Sequence, residues 1–572
     1  MNLFVSLFFR SCCLFLLIFT THAVADSKPE SGKIRLAGHL PHDGIQESTY
    51  IGPLDGKTHI SLTYVLPLNN QDKLDDLLKR LYDPTDALHG QYLSPDKFTH
   101  QFGATTDDYQ TIITHAKSLG LSIDKAHSNR MILEVSGTAA TIENAFNISL
   151  HQYQTADCRQ FFAADADPEV STEVASKILG IVGLDDYHIL THQARSLATA
   201  TAPAPKPGHI PGQGSGPLNA LTPSDITKAY GLDLVTEDGK GQVVAVFALS
   251  TYDPNDIAVF KSYYGLPDIP IVHVVVNGGS GVTPDGAHLE ATLDVELQMA
   301  LAPGAQAIYF YEGKNSSGVL ATYNQIAQDN IAKQISTSWG GGEPKSGNFT
   351  LQLAENQIFQ QMAAQGQSIY AASGDCGACN QCGVTCTQNL IQALDPASQP
   401  FVCGVGGTRL LLNSDKSYHS EVCWNNNGTY GAGASGGAVS IIWPIPSWQI
   451  PVTTCASQSF RNVPDVSLNS GTGYSIYYNS AWQLIEGTSC SAPLWAAFTA
   501  RVNQARAANG RPPLGCPNPA LYSIGTGINY HAAFHDITTV DNNFYQATQG
   551  YDNATGWGSF KGPEMLLELS NY

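Results

Sequence analysis

Past its first 25 residues the chain has no apolar run long enough to cross a bilayer. Basic residues are scarce: 29 Lys+Arg stand against 49 Asp+Glu, a formal net charge of −20 over 572 residues. That balance excludes nucleic acid and anionic membrane as main partners. Charged residues make up 14% and hydrophobic ones 43%, which describes ordered, globular chain. A His-Gly-Thr-His segment is absent, and none of the 17 histidines, His288 included, has a motif around it. No internal repeat is evident. The length exceeds what one core can fill, so two or more domains are expected.

Residues 1–25 read as a signal peptide. The apolar run from Cys12 to Phe19 is too short for a span, Arg10 is the only positive charge, and Ala23-Val24-Ala25 is a small-x-small cleavage site. The expected destination is the extracellular space or another acidic exported compartment, with no stable membrane anchor after signal removal. Export makes disulfides possible. Two of the twelve Cys lie in the signal peptide, Cys158 lies in the N-terminal region, and nine follow. An odd nine leaves at least one free thiol there.

The clearest boundary is residues 197–217, a Pro/Gly/Ala/Ser tract that cannot build a core. It reads as an exposed, cleavable linker between residues 26–196 and residues 218–572. In the first region, residues 60–66, 131–135 and 148–153 are strand-like. Leu74, Leu77, Leu78 and Leu81 have helical spacing, as do Tyr109, Ile112, Ile113 and Ala116, and residues 139–146 are helical. The β-α-α-β-α-β order predicts a small α+β, ferredoxin-like domain. In the second region, apolar runs at 243–249, 307–311, 335–339, 369–372 and 401–405 alternate with helical stretches at 290–300, 319–333 and 353–364. That alternation predicts an α/β domain with a doubly wound parallel sheet, whose site gathers at the strand carboxyl ends.

Gly487-Thr488-Ser489-x-x-x-Pro493 is the most informative string. A tight turn before an Ala-rich helix lifts the Ser489 hydroxyl onto a helix N-terminus, where N–H groups hold developing negative charge. A serine needs a base. Glu290 and Asp294, at i,i+4, project from one helix face. Two carboxyls held together share a proton, so one serves as base while the other orients it, best in acid. The plain alternative is a solvated acidic face. Asp375, in Ser373-Gly374-Asp375, should sit at the sheet's carboxyl edge. Protonated, it would donate to an oxyanion; the plain alternative is an Asx turn.

Together these segments resemble the sedolisin family of serine-carboxyl peptidases, in pro-kumamolisin-like domain order. The resemblance rests on Glu290-x-x-x-Asp294, Ser338-Trp339-Gly340, Ser373-Gly374-Asp375-x-Gly377 and Gly487-Thr488-Ser489 in that order, and covers nearly all of the chain after residue 25. It implies a subtilisin-like peptidase domain behind an activation propeptide. Ser489 would be the nucleophile, Glu290 the base, Asp294 its partner and Asp375 the oxyanion-side acid. Trp339 and Gly340 would line the substrate cleft. The propeptide would act as chaperone and intramolecular inhibitor, removed by cleavage in the linker on acidification. Expected partners are protein or peptide substrates and this propeptide, and the expected state is monomeric. Glu486 and Cys490 depart from the family pattern beside the nucleophile. The alternatives are a tripeptidyl-peptidase of the same family and an inactive peptide-binding relative.

The resemblance also implies one structural Ca²⁺ in a C-terminal loop, with Asp536 and Asp552 giving carboxylates and Ile537, Thr548 and Gly550 giving carbonyls. Hard Ca²⁺ takes six or more oxygens. Cys376-x-x-Cys379-x-x-Cys382-x-x-x-Cys386 has the spacing of a cluster-binding run. Export, Thr387 in place of Pro, and a position just after Asp375 favour disulfides over iron–sulfur or zinc, with the pairing open.

Overall fold

The computed structural model describes residues 32–199, 213–280, 287–316, 318–345, 347, 349–382, 384–426 and 433–572. The signal peptide and residues 200–212 of the expected linker lie outside the described residues. No helix among the described residues is long and apolar enough to cross a membrane.

The N-terminal domain contains β1 (His59–Val65), α1 (Gln71–Leu81), α2 (Thr106–Ser118), β2 (Ser122–Ala126), β3 (Ile132–Thr138), α3 (Ala139–Phe146) and β4 (Gly180–Val182). Leu74, Leu78 and Leu81 bury one face of α1, and Tyr109, Ile112 and Ala116 one face of α2. Side-chain caps start two of the helices: Thr105 accepts from the Asp108 N–H and Thr138 from the Thr141 N–H. The sheet runs β2-β3-β1-β4, all antiparallel, the ferredoxin-like order. The expected last strand at 148–153 is not in this sheet. Leu150–Gln154 pairs instead with Thr49–Pro53 and Gln160–Ala164, and the three-residue β4 takes the fourth place. So short a strand carries no legible period.

Two strands leave this domain, β5 (Thr191–His192) and β6 (Arg195–Thr199). The second runs three residues into the tract whose composition marks a linker.

The larger domain is built on β7 (Val243–Ala248), β8 (Ile271–Val275), α4 (His288–Leu301), β9 (Ala307–Glu312), α5 (Val319–Asp329), β10 (Gln334–Thr337), β11 (Trp339–Gly342), α6 (Thr350–Ala364), β12 (Ser368–Ala372), β13 (Cys403–Leu412), β14 (Tyr418–Cys423), β15 (Val466–Asn469), β16 (Tyr474–Tyr478), β17 (Ala481–Glu486) and α7 (Thr488–Ala508). Eight strands form one sheet in the order β8-β9-β7-β10-β12-β13-β14, with β15 beside β13 and only β14 antiparallel. Val244 through Ala248 are fully buried, as a strand covered on both faces requires. Helices α4 and α7 pack together and against the sheet. The expected strand at 335–339 is broken. It ends at Thr337, Ser338 leaves the ladder, and Trp339 opens the separate short strand β11.

Candidate active site

Glu290 and Asp294 lie in the first turns of α4 and are wholly buried, so the solvated-face reading fails. Glu290 Oε2 accepts from the Gln193 N–H at 2.9 Å and the Ala194 N–H at 2.7 Å. With the covering strand in place, burial, helped by the Asp375 charge, raises its pKa to about 8, although the Ser489 hydroxyl and these two amides pull it down. Glu290 is therefore a base only as the ionised member of a proton-sharing pair with Asp294. Asp294 Oδ1 accepts from Ser338 Oγ at 2.6 Å, which explains why that residue quits its strand. Burial and the neighbouring Glu290 charge push Asp294 far upward. Among the described residues neither carboxyl has a Lys or Arg partner.

Ser489 sits in the first turn of α7 and is fully buried. Its Oγ is near enough to lower the Glu290 pKa, yet no hydrogen bond of ordinary geometry joins them, and Glu290 Oε1 is also without a partner among the described residues. The geometry is that of adjacent, unlocked groups. The turn before it demands glycine. Gly487 has φ +140°, and a Cβ there would stand 2.5 Å from the Gln193 carbonyl oxygen and 2.6 Å from Asp375 Oδ2. Thr488 holds Asp375 in place, its N–H and Oγ each donating to Oδ1 at 2.8 Å. Oδ2 keeps no hydrogen-bond partner among the described residues. Burial pushes the Asp375 pKa up to about 7, against the Thr488 bonds and the Arg195 charge. An Asx turn does not account for an acid bonded to the residue before Ser489, 113 positions away.

The N-terminal domain's exit strand runs through this site. Thr191 and His192 pair antiparallel with Gly340 and Trp339, and Arg195 and Ser196 with Glu486 and Ile485. Between them the Gln193–Ala194 peptide unit lies against Glu290 on one side and Gly487 on the other. His192 Nδ1 comes within 3.8 Å of Glu290 Oε2, but it belongs to this covering strand. Composition gave no sign of the strand, since residues 189–196 are ordinary and the pairing is non-local. Ser338 was legible only as part of Ser-Trp-Gly.

Trp339 is buried, its ring edge-on to His192 at 6.0 Å, and the Gly340 carbonyl accepts from Thr191 Oγ1 at 3.2 Å. Behind Asp375, disulfides join Cys376 to Cys382 and Cys379 to Cys386. Cys403, Cys423, Cys455, Cys490 and Cys516 are buried and unpaired. In the C-terminal loop Asp536 Oδ1 accepts from the Gly550 N–H, and Asp552 Oδ2 from the Thr548 N–H. The carbonyl oxygens of Ile537, Thr548 and Gly550 accept no hydrogen bond among the described residues. No cluster of three or more His, Cys, Asp or Glu suited to a metal occurs among those residues. Any ion here would rest on two carboxylates and carbonyls, a donor set suited to a hard cation.

A parallel sheet, a serine opening a helix behind a glycine turn, and buried carboxylates beside it define a serine peptidase of subtilisin-like architecture. Residues 46–187 match the model of the "Pro-kumamolisin, activation domain". The chain is 32% identical over 567 residues to kumamolisin of Bacillus sp. (strain MN-32), covering 95% of this chain and 97% of that protein. It is 30% identical to sedolisin of Pseudomonas sp. (strain 101), covering 89% and 86%, and 25% identical to tripeptidyl-peptidase 1 of Rattus norvegicus, covering 91% and 93%. Among solved structures, Pseudomonas sedolisin, a serine-carboxyl proteinase complexed with pseudo-iodotyrostatin, superposes with TM-score 0.56 at 28% identity, over 61% of this chain and 98% of that one. The chain belongs to the sedolisin family of serine-carboxyl peptidases, with the activation domain in front.

Proposed function

We propose that the protein is a secreted, acid-acting endopeptidase made as a self-processing zymogen. The observation that carries this reading is the Gln193–Ala194 peptide unit held between Glu290 and Gly487, beside Ser489. In the reaction Glu290 takes the Ser489 proton as Oγ attacks the carbonyl carbon. The oxyanion accepts a hydrogen bond from protonated Asp375, whose raised pKa keeps its proton in acid. The C–N bond breaks, and Glu290 returns the proton to the leaving amine. Water then repeats the sequence on the acyl-enzyme. Asp294 and Ser338 orient Glu290, and Trp339 and Gly340 hold the substrate strand. The first self-cleavage falls at Gln193–Ala194, ahead of the residue 197–217 tract, which is open to later trimming.

Endopeptidase action is favoured over release of tripeptides because the covering chain continues beyond Thr191. Leu190 donates its N–H to Asn315 Oδ1 at 3.1 Å and accepts from Asn315 Nδ2 at 2.6 Å, which supports a seat for a fourth residue on the acyl side. Asp536 and Asp552, with the carbonyls of Ile537, Thr548 and Gly550, would hold one Ca²⁺. When bound, the ion supplies charge that ties these loop segments together.

The test is to acidify the purified full-length protein and follow intact mass and casein digestion together. The expected result is a new N-terminus at Ala194 and growing proteolysis. Self-cleavage of a Ser489→Ala precursor at the wild-type rate would sink the reading.

A further inference from the structure

Arg195 is the second residue on the leaving side of the Gln193–Ala194 bond, and among the described residues its side chain meets the peptidase domain. It stands opposite Glu486 across the β6–β17 ladder, so the two side chains share a face. Its Nη2 lies 2.9 Å from Cys376 Sγ and also touches Cys382 Sγ, the two halves of one cystine. Glu486 is buried and accepts from Asn426 Nδ2 at 3.0 Å. Its carboxyl and that of Asp375 both feel the Arg195 charge. The strand before the nucleophile and the stapled loop behind Asp375 therefore form two walls around one basic side chain, one acidic and one of polarizable sulfur.

We infer that this pocket makes the enzyme selective for a basic residue, arginine above lysine, two positions beyond the bond it cuts. The assignment rests on the endopeptidase reading and deepens it. Glu486 departs from the family pattern at the residue before Gly487, and the cystine closes the loop that follows Asp375. Arginine is favoured because its fork of donors lets one nitrogen meet the sulfurs while the others face a carboxylate. In the precursor Arg195 fills the pocket, and its departure exposes the same walls to substrate.

Acidity modulates the pocket. Burial holds Glu486 up to about 7, and the groups acting on it are Asn426, Arg409, Asp375 and Arg195. Removing the covering strand admits water, which returns the carboxyl toward its ordinary range of about 4 to 5. Preference for arginine should therefore rise between about pH 4 and pH 6 as Glu486 ionises.

The experiment uses processed enzyme and a series of quenched fluorescent peptides differing only at the second leaving-side residue: Arg, Lys, Ala or Glu. The expected kcat/KM ratio of Arg to Ala is about tenfold or more, with Lys between and Glu below Ala. In Glu486→Gln the Arg:Ala ratio falls toward one, and its pH dependence disappears. As a second measure, Arg195→Glu in the full-length precursor slows self-cleavage at Ala194 several-fold. Turnover with an Arg:Ala ratio near one, or an unchanged ratio in Glu486→Gln, would overturn the pocket and leave the peptidase reading standing. No Ser489-dependent turnover of any peptide would overturn both.

Discussion

Two sets of buried carboxylates lie in the same domain and are treated in opposite ways. Asp465, between the sheet and the C-terminal segment, has everything a buried charge needs. Arg461 donates to it twice, at 2.8 and 2.6 Å, with both side chains fully buried. Tyr522 and the Gly404 N–H complete its shell, and the guanidinium lies 4.9 Å over the Trp448 ring. Glu290, Asp294 and Asp375 are buried as deeply, but among the described residues neither Glu290 nor Asp294 has a Lys or Arg partner. Of the basic side chains described, only His192 of the covering strand comes within 3.8 Å of Glu290, and each of the three carboxyls keeps one oxygen without a hydrogen-bond partner. The first arrangement spends its acid on holding the fold. The second leaves unmet bonding capacity beside a hydroxyl, where a reaction can use it. Unpaired burial raises pKa values, and paired burial keeps the charge in place.

The largest expected effect breaks the second set. Glu290→Gln keeps shape and both amide contacts but removes the base. Turnover of a peptide by processed enzyme should fall about 10³-fold, within the usual 10²–10⁴ range for a general base, while the melting temperature stays level or rises. Full activity would mean that some other group activates Ser489. Next in size, Arg461→Met leaves Asp465 buried and alone. The expected loss is about 3–5 kcal/mol of stability, read by denaturant unfolding. The fraction that remains folded should keep near-normal kcat, because nothing of the reacting set has changed. A double variant, Arg461→Met with Asp465→Leu, should recover much of the loss; failure to recover would mean that the pair does more than satisfy itself.

Only part of this contrast is legible in the sequence. The sheet and its helices follow from apolar runs alternating with helical stretches. The four reacting residues stand in strings whose glycines and spacing have a mechanical reason. Gly487 is needed because a Cβ would strike both Asp375 and the covering strand. What could not be read is non-local. Ser338 shows no reason to leave its strand until Asp294 is placed beside it, and Arg461–Asp465 looks like any i,i+4 pair until its burial is known. Residues 191–196 carry no composition signal, though they cross the site. Four cysteines in a row allow three pairings, and only the folded loop selects one.

A smaller effect concerns the C-terminal loop. If Asp536 and Asp552 hold Ca²⁺, chelation should lower the melting temperature in a manner reversed by added Ca²⁺ but not by Mg²⁺. At an ion concentration 100 times Kd the linkage is about 2.7 kcal/mol. Asp552→Ala should be insensitive to chelator, and an unshifted wild-type melt in chelator would remove calcium from the account.

The smallest effect sharpens the comparison most, because it separates unpaired acids by place. Asp375 and Glu343 are both pushed up to about 7, and burial is the first cause in each. Glu343 is bonded by Ser440 Oγ at 2.7 Å and the Ile441 N–H at 2.8 Å, and no bond of its side chain reaches Ser489, Glu290 or Thr488 among the described residues. An acid whose folded pKa is raised holds its proton more tightly when folded. Its contribution to stability is complete below the unfolded pKa of about 4 and is lost as pH climbs through about 7. The precursor should therefore melt several degrees lower at about pH 8 than at about pH 5, the reverse of a protein stabilised by ionised carboxylates. Either Asp375→Asn or Glu343→Gln should flatten that slope by a similar amount, about 1–2 kcal/mol across the range. Only Asp375→Asn should also cost turnover, by about 10²-fold, through loss of the proton offered to the oxyanion. Equal losses of turnover in both variants would make the raised acidity a property of the fold alone, and Asp375 would lose its distinction from Glu343.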